Sequence, residues 1–200
     1  MLCNRMGVEK GMADRCSIRL YTAQTDPVLQ ELKEKGVCHC REAYVRKKYA
    51  ESAEGFLIAY RWLAANAPRF VPKPDGAELM YWAFPDKNYV TMSHSVLALD
   101  VPREQVLLFD YTKWSRILQL NYIGASPAHE ARFSKELSLR GISAYTAMTT
   151  DFYPEMKQRI LESWQRLFED ADFTTPCSMD NPRPRQAALW EIRREWVAKS

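Results

Sequence analysis

Glycine is scarce in this chain, seven residues in 200, and the seven are scattered. No glycine-rich loop is therefore present to wrap a phosphate, which removes the P-loop and the dinucleotide fingerprint. Also missing are a G-x-S-x-G nucleophile elbow, an H-E-x-x-H zinc helix and any paired C-x-x-C. Long apolar runs are absent as well, and nothing approaches the roughly 20 residues needed to cross a bilayer. The opening MLCNRMGVEKGMADRC carries charge throughout and has no apolar stretch of the secretory kind. Charge of one sign is in short supply: 28 Lys and Arg face 25 Asp and Glu, a net +3. That balance gives no strong nucleic-acid signal, which would need clustered excess positive charge. Five cysteines form an odd set without framework spacing, so reduced thiols and a cytoplasmic location are expected.

What is present is an ordinary globular balance, 46% hydrophobic and 26% charged, with 12% aromatic residues. A chain of this length is expected to form one domain without disulfides or metal. Residues 1–16 have no period and read as a disordered lead-in, and residues 17–200 read as the domain. Residues 18–23 alternate like a strand. Asp26 and Pro27 then start a short helix, and Gly36 supplies its left-handed exit. Residues 37–40 form a short strand. Residues 46–66 carry one long amphipathic helical period. Prolines interrupt the chain until a buried strand at 79–84. Strands at 95–101 and 105–109 flank a Pro102-Arg103-Glu104 turn, and Asp110 caps the next helix. Residues 121–150 are mixed, with a helix near 128–139, and 153–168 are helical. Residues 170–185 read as a loop, and 185–199 fit strand or helix equally. The expected fold is α+β: a single compact domain with a mixed or antiparallel sheet and flanking helices.

Few residue clusters carry chemistry. Cys38 and Cys40 point the same way on a strand, but zinc needs four ligands and no second pair is suitably spaced. No metal site is expected. The three histidines, His39, His94 and His129, lie far apart and read as exposed or satisfied in the core. More informative are polar residues beside large aromatics at strand ends: Tyr21 and Gln24, Trp82, Asp110 and Trp114, and Gln186 with Trp190 and Glu191. A planar ligand needs rings to stack on and polar groups to orient it. Tyr21, Gln24, Trp82, Asp110 and Trp114 are thus candidate ligand-binding residues. Each tryptophan taken alone also reads as core.

Several ordered motifs carry a family resemblance: LYTAQTDPVLQELKEKGV, the Tyr44-x-x-x-Lys48-Tyr49 stretch, YWAF, LALDVPREQVLLFDYTKW and RQAALWEIRREWV. Over residues 18–197 the chain resembles the bacterial family named domain of unknown function 3841. That family brings no activity, catalytic residue or cofactor to transfer. Its last motif usually reads Ile-Gln-Ala, where this chain has Arg185 before Gln186. A more distant resemblance links the LYTAQ strand, the short helix and Lys35-Gly36-Val37 to the opening of small ADP-ribosyltransferase-like domains. It implies NAD as cofactor and a late-strand Gln or Glu at the nicotinamide ribose, which makes Gln186 and Glu191 the candidate catalytic residues. The early Arg or His of many such enzymes is replaced here by Tyr21 and Gln24. Three readings follow: an enzyme handling NAD or ADP-ribose, a non-catalytic ligand-binding module, and a module that binds a protein partner. Glu191 in a pocket with Gln24 would favour the first, and a solvated Glu191 the last.

Overall fold

The computed structural model describes residues 17–91, 95–169 and 184–198. The proposed lead-in, His94 and most of the loop expected at 170–185 lie outside the described residues. In chain order the elements are β1 (Ser17–Gln24), α1 (Asp26–Lys35), β2 (Val37–His39), α2 (Glu42–Tyr49), α3 (Ala53–Asn66), β3 (Tyr81–Ala83), β4 (Ser95–Pro102) and β5 (Leu107–Asp110). They continue with α4 (Tyr111–Leu118), α5 (Pro127–Leu139), α6 (Ala144–Thr149), α7 (Pro154–Ser163), β6 (Arg185–Leu189) and β7 (Glu191–Arg193). The class is α+β, and among the described residues every strand pairing is antiparallel. Among the described residues no helix is long and apolar enough to cross a membrane.

Local chemistry explains several boundaries. Helix α1 opens with Pro27 in its first turn and closes at Gly36, whose φ of 77° costs a glycine little. Asp110 accepts from the amides of Thr112 and Lys113 at 2.7 and 3.1 Å and so starts α4. The long helix expected at 46–66 is instead a hairpin of two helices. The chain folds back at Ala50, which takes φ 47°, a conformation a residue with a Cβ holds only when its surroundings enforce it. Charge pairs cross the hairpin: Arg61 grips Glu42 at 2.6 and 2.7 Å, and Arg46 reaches Glu54. Tyr49 also stacks on Phe56 with centroids 4.2 Å apart. The helix expected at 153–168 tightens to a 3₁₀ turn from Trp164 onward.

Instead of one sheet, the described residues form three small antiparallel ones, β1 with β4, β2 with β7, and β3–β6–β5, which fix what meets what. β1 pairs with β4 along all eight positions, from Ser17 opposite Pro102 to Gln24 opposite Ser95. β6 lies between β3 and β5, so the ambiguous C-terminal segment is strand over Arg185–Leu189 and Glu191–Arg193, and it ends in a 3₁₀ turn at Arg194–Trp196. A single bridge from Tyr21 to Phe84 joins β1 to the end of β3, and another from Leu99 to Val197 joins β4 to the chain end. Two hydrophobic clusters lie on the two sides. One holds Phe109, Trp114, Trp164 and Trp190 beneath α3, α4, α5 and α7. The other holds Leu20, Leu99, Leu108, Leu189 and Ile192 beneath α1.

Candidate functional site

Antiparallel register sets residues of neighbouring strands side by side on one face. Tyr21 exchanges two backbone hydrogen bonds of 2.8 Å with Phe84. Ala83 stands opposite Ala187, so the next position sets Phe84 beside Gln186, and Gln186 in turn stands opposite Phe109. The result is a row across four strands: Tyr21, Phe84, Gln186, Phe109. Beyond the row, the Phe84 ring meets Tyr89 at 5.9 Å and Tyr111 at 5.8 Å. Tyr89 and Tyr111 are 44% and 36% exposed, which leaves an aromatic shelf open to solvent at the start of α4. Gln186, beside Phe84 in the row, is 6% exposed, and its Oε1 has no hydrogen-bond partner. A buried amide oxygen without a partner is costly, roughly 1–3 kcal/mol, and calls for an explanation.

The candidate residues divide around this row. Tyr21 and Gln186 are members of it. Trp82 is one pleat further in on the same face, half-buried, with its ring 5.1 Å from Tyr60 and 4.9 Å from Trp114. Trp114 is 1% exposed and packs as core. Asp110 is spent on the cap of α4. Gln24 shares the side of Leu20, not of Tyr21, because side chains alternate along β1. Its amide donates to Thr22 Oγ1 at 2.8 Å, and Thr22 Oγ1 donates to the Trp82 carbonyl at 2.6 Å. Glu191 is also apart. It stands opposite His39, five positions after Gln186, up to about 16 Å along the strand. Gln24, Trp82 and Gln186 therefore do not line one face, and the two candidate catalytic side chains do not meet. Phe84, Tyr89 and Tyr111 complete the shelf, although Pro85 hides the connection between the first two in the sequence.

The family described as Domain of unknown function (DUF3841) matches residues 19–198. The chain belongs to the DUF3841 family. Neither the curated proteins nor the solved structures contain a match to it. The likeness to ADP-ribosyltransferase-like domains finds no support in these comparisons.

Two further polar groupings of this DUF3841 domain surround β2. Glu191, 4% exposed, is held from both sides: His39 Nε2 lies 3.1 Å from Oε2, and Arg193 Nε donates to Oε1 at 2.6 Å. It is neither solvated nor gathered with Gln24. On the other side of β2, the Cys38 thiol donates to Glu31 at 3.2 Å and lies 2.9 Å from the Tyr81 hydroxyl, while Tyr44 donates to the same Glu31 oxygen. Lys35, bonded at 3.0 Å, holds the Glu31 carboxyl below its ordinary value. Among the described residues no three His, Cys, Asp or Glu side chains gather to hold a metal ion.

Burial pushes the Cys38 thiol up to about 11 and the Cys40 thiol up to about 12, from an ordinary 9.0. Neither is a thiolate nucleophile near neutral pH. Folded thiols stay protonated while unfolded ones ionise, so their contribution is intact below pH 9 and lost as pH climbs through 11. Unfolding free energy measured in urea should fall between pH 9 and 11, and less steeply in Cys38→Ala. Iodoacetamide at pH 8, read out by peptide mapping, should label Cys38 in urea but leave it untouched in the native protein, where it is fully buried. Rapid native labelling at Cys38 would show that its thiol is accessible.

Proposed function

We propose that this domain binds a nucleotide-class ligand, of the NAD or ADP-ribose type, on the aromatic shelf above Gln186. One observation carries the reading: a buried amide oxygen without a partner lies in the same cross-strand row as Phe84, whose ring is extended by the exposed Tyr89 and Tyr111. Exposed rings offer stacking to a base or pyridine, and the amide offers directional bonds to its edge. Binding is favoured over bond cleavage. Stabilising the positive charge that develops on a ribose takes a carboxylate at the reacting carbon. In this domain Glu191 is committed to His39 and Arg193, away from the row.

Titration of NAD, ADP-ribose and ATP, followed by tryptophan fluorescence and thermal stability, tests the reading. Saturable binding is expected, with Tyr111→Ala weakening it by about 1–3 kcal/mol, the worth of a lost stacking partner. Absence of any shift at millimolar ligand would remove the nucleotide reading. A protein-partner reading would then rest on Leu139, Tyr145 and Phe152, which are 79%, 58% and 84% exposed.

A further inference from the structure

We infer that the site selects ligands whose ring bears a carboxamide or lactam edge and rejects the corresponding carboxylate. The inference deepens the nucleotide reading and rests on it. The Gln186 side chain offers one acceptor oxygen and one donor nitrogen side by side. Its oxygen is the unpartnered atom, so the complement it lacks is an N–H. A carboxamide or lactam supplies a donor and an acceptor together and pairs with the whole Gln186 amide. Turning that amide over merely exchanges the two bonds. A carboxylate supplies acceptors alone. It would set a negative oxygen against Gln186 Oε1 and leave that atom as unsatisfied as before.

Three cations that flank the row are engaged or turned away from a carboxylate. Arg19, on the Tyr21 side of β1, is engaged by Asp100 through two bonds of 2.5 and 2.9 Å. Lys113, in the first turn of α4, donates to the Arg166 carbonyl at 2.8 Å. Arg185 is adjacent to Gln186 on β6, and alternation turns it to the opposite face, in register with Asp110. Among the described residues the row is thus neutral and reads hydrogen-bond pattern, not charge. The shelf is the solvent-facing part of the site: Tyr111 and Tyr89 each have more than a third of their surface in solvent, and both rings meet Phe84, the neighbour of Gln186 in the row.

Nicotinamide and nicotinate, equal in ring and shape, are the probes. With the full chain at pH 7.5, calorimetric titration should show nicotinamide binding at least tenfold more tightly than nicotinate, since a buried polar group left unpaired discriminates strongly. Gln186→Leu should abolish the preference and leave the melting temperature at or above that of the parent, because it removes an unpartnered buried amide. Should that variant fail to fold, Gln186→Asn, which withdraws the amide by one methylene, should shrink the preference instead. NAD and ADP-ribose are titrated in parallel. If they bind but nicotinamide and nicotinate bind equally, or if Gln186→Leu keeps the preference, the carboxamide inference falls and the nucleotide reading stands. If neither dinucleotide nor either pyridine binds at millimolar concentration, both fall.

Discussion

Replacing Trp164 with alanine should cost about 3–5 kcal/mol, the range for deleting a buried aromatic side chain. Trp164 is 0% exposed, and it joins elements distant in sequence. Its ring meets Trp62 of α3 edge-on at 5.4 Å and 86°, the geometry that aligns ring edge with ring face. Its Nε1 donates to the Asn121 carbonyl at 2.8 Å, satisfying a backbone group in the segment between α4 and α5. Alanine would therefore leave both a cavity and an unpaired carbonyl, placing the loss toward the upper end of the range. Trp164→Phe keeps most of the packing and loses the N–H, so it separates the two terms and should cost about 1–2 kcal/mol. Urea unfolding followed by circular dichroism measures both, and the alanine variant should also melt on the order of 10 °C lower. A loss below about 1 kcal/mol would mean that Trp164 does not tie α3, α7 and the 121–123 segment together.

Elements that were legible in the sequence owe their form to local chemistry. Pro27 and Gly36 delimit α1, and Asp110 starts α4, through bonds within a few residues of themselves. Elements that were not legible depend on distant partners. Ala50 carries none of the glycine or proline chemistry that marks a turn, and the periodicity runs through it. The break between α2 and α3 brings together pairs such as Glu42 with Arg61, which become visible once the helices lie side by side. The C-terminal RQAALWEIRREWV fits both periods; Arg185–Leu189 is strand because β3 and β5 offer an edge on either side, and Glu191–Arg193 is strand because β2 does. The site divides in the same way. Tyr21 and Gln186 were recognisable by type, but their shared row exists by register alone, and so does the pairing of His39 with Glu191. Strand parity does separate Gln24 from Tyr21, three positions apart and so on opposite faces. Applying it across strands needs the pairing that folding supplies.

Gly124→Ala should destabilise the domain by about 2–3 kcal/mol, the cost of forcing atoms into a packed site whose walls are backbone. A Cβ there would stand 2.7 Å from Glu130 Cγ, 2.8 Å from the Glu130 amide nitrogen and 2.9 Å from the Ser126 carbonyl oxygen. Side chains can rotate away, but the two backbone atoms belong to the first turn of α5. Ser126 caps that helix by accepting from the His129 amide at 3.3 Å, so its carbonyl cannot retreat without disturbing the cap. The close approach has a purpose in the fold. Glu130 Oε1 accepts from the Gly124 amide at 3.2 Å while Oε2 takes Arg116 of α4 at 2.5 Å. One carboxylate thereby clasps the end of the α4–α5 connection to both helices. Alanine would push Glu130 outward and loosen the clasp, so the loss combines steric strain with weakened bonding. Glu130→Gln in the parent protein keeps the volume and weakens the charge-assisted bond alone, and should cost well under the glycine substitution, about 1 kcal/mol. Gly124→Ala made on top of Glu130→Ala removes the Cγ contact and leaves the backbone clashes, so most of its penalty should persist. If the penalty vanishes in that background, the obstruction is the Glu130 side chain and not the backbone of α5.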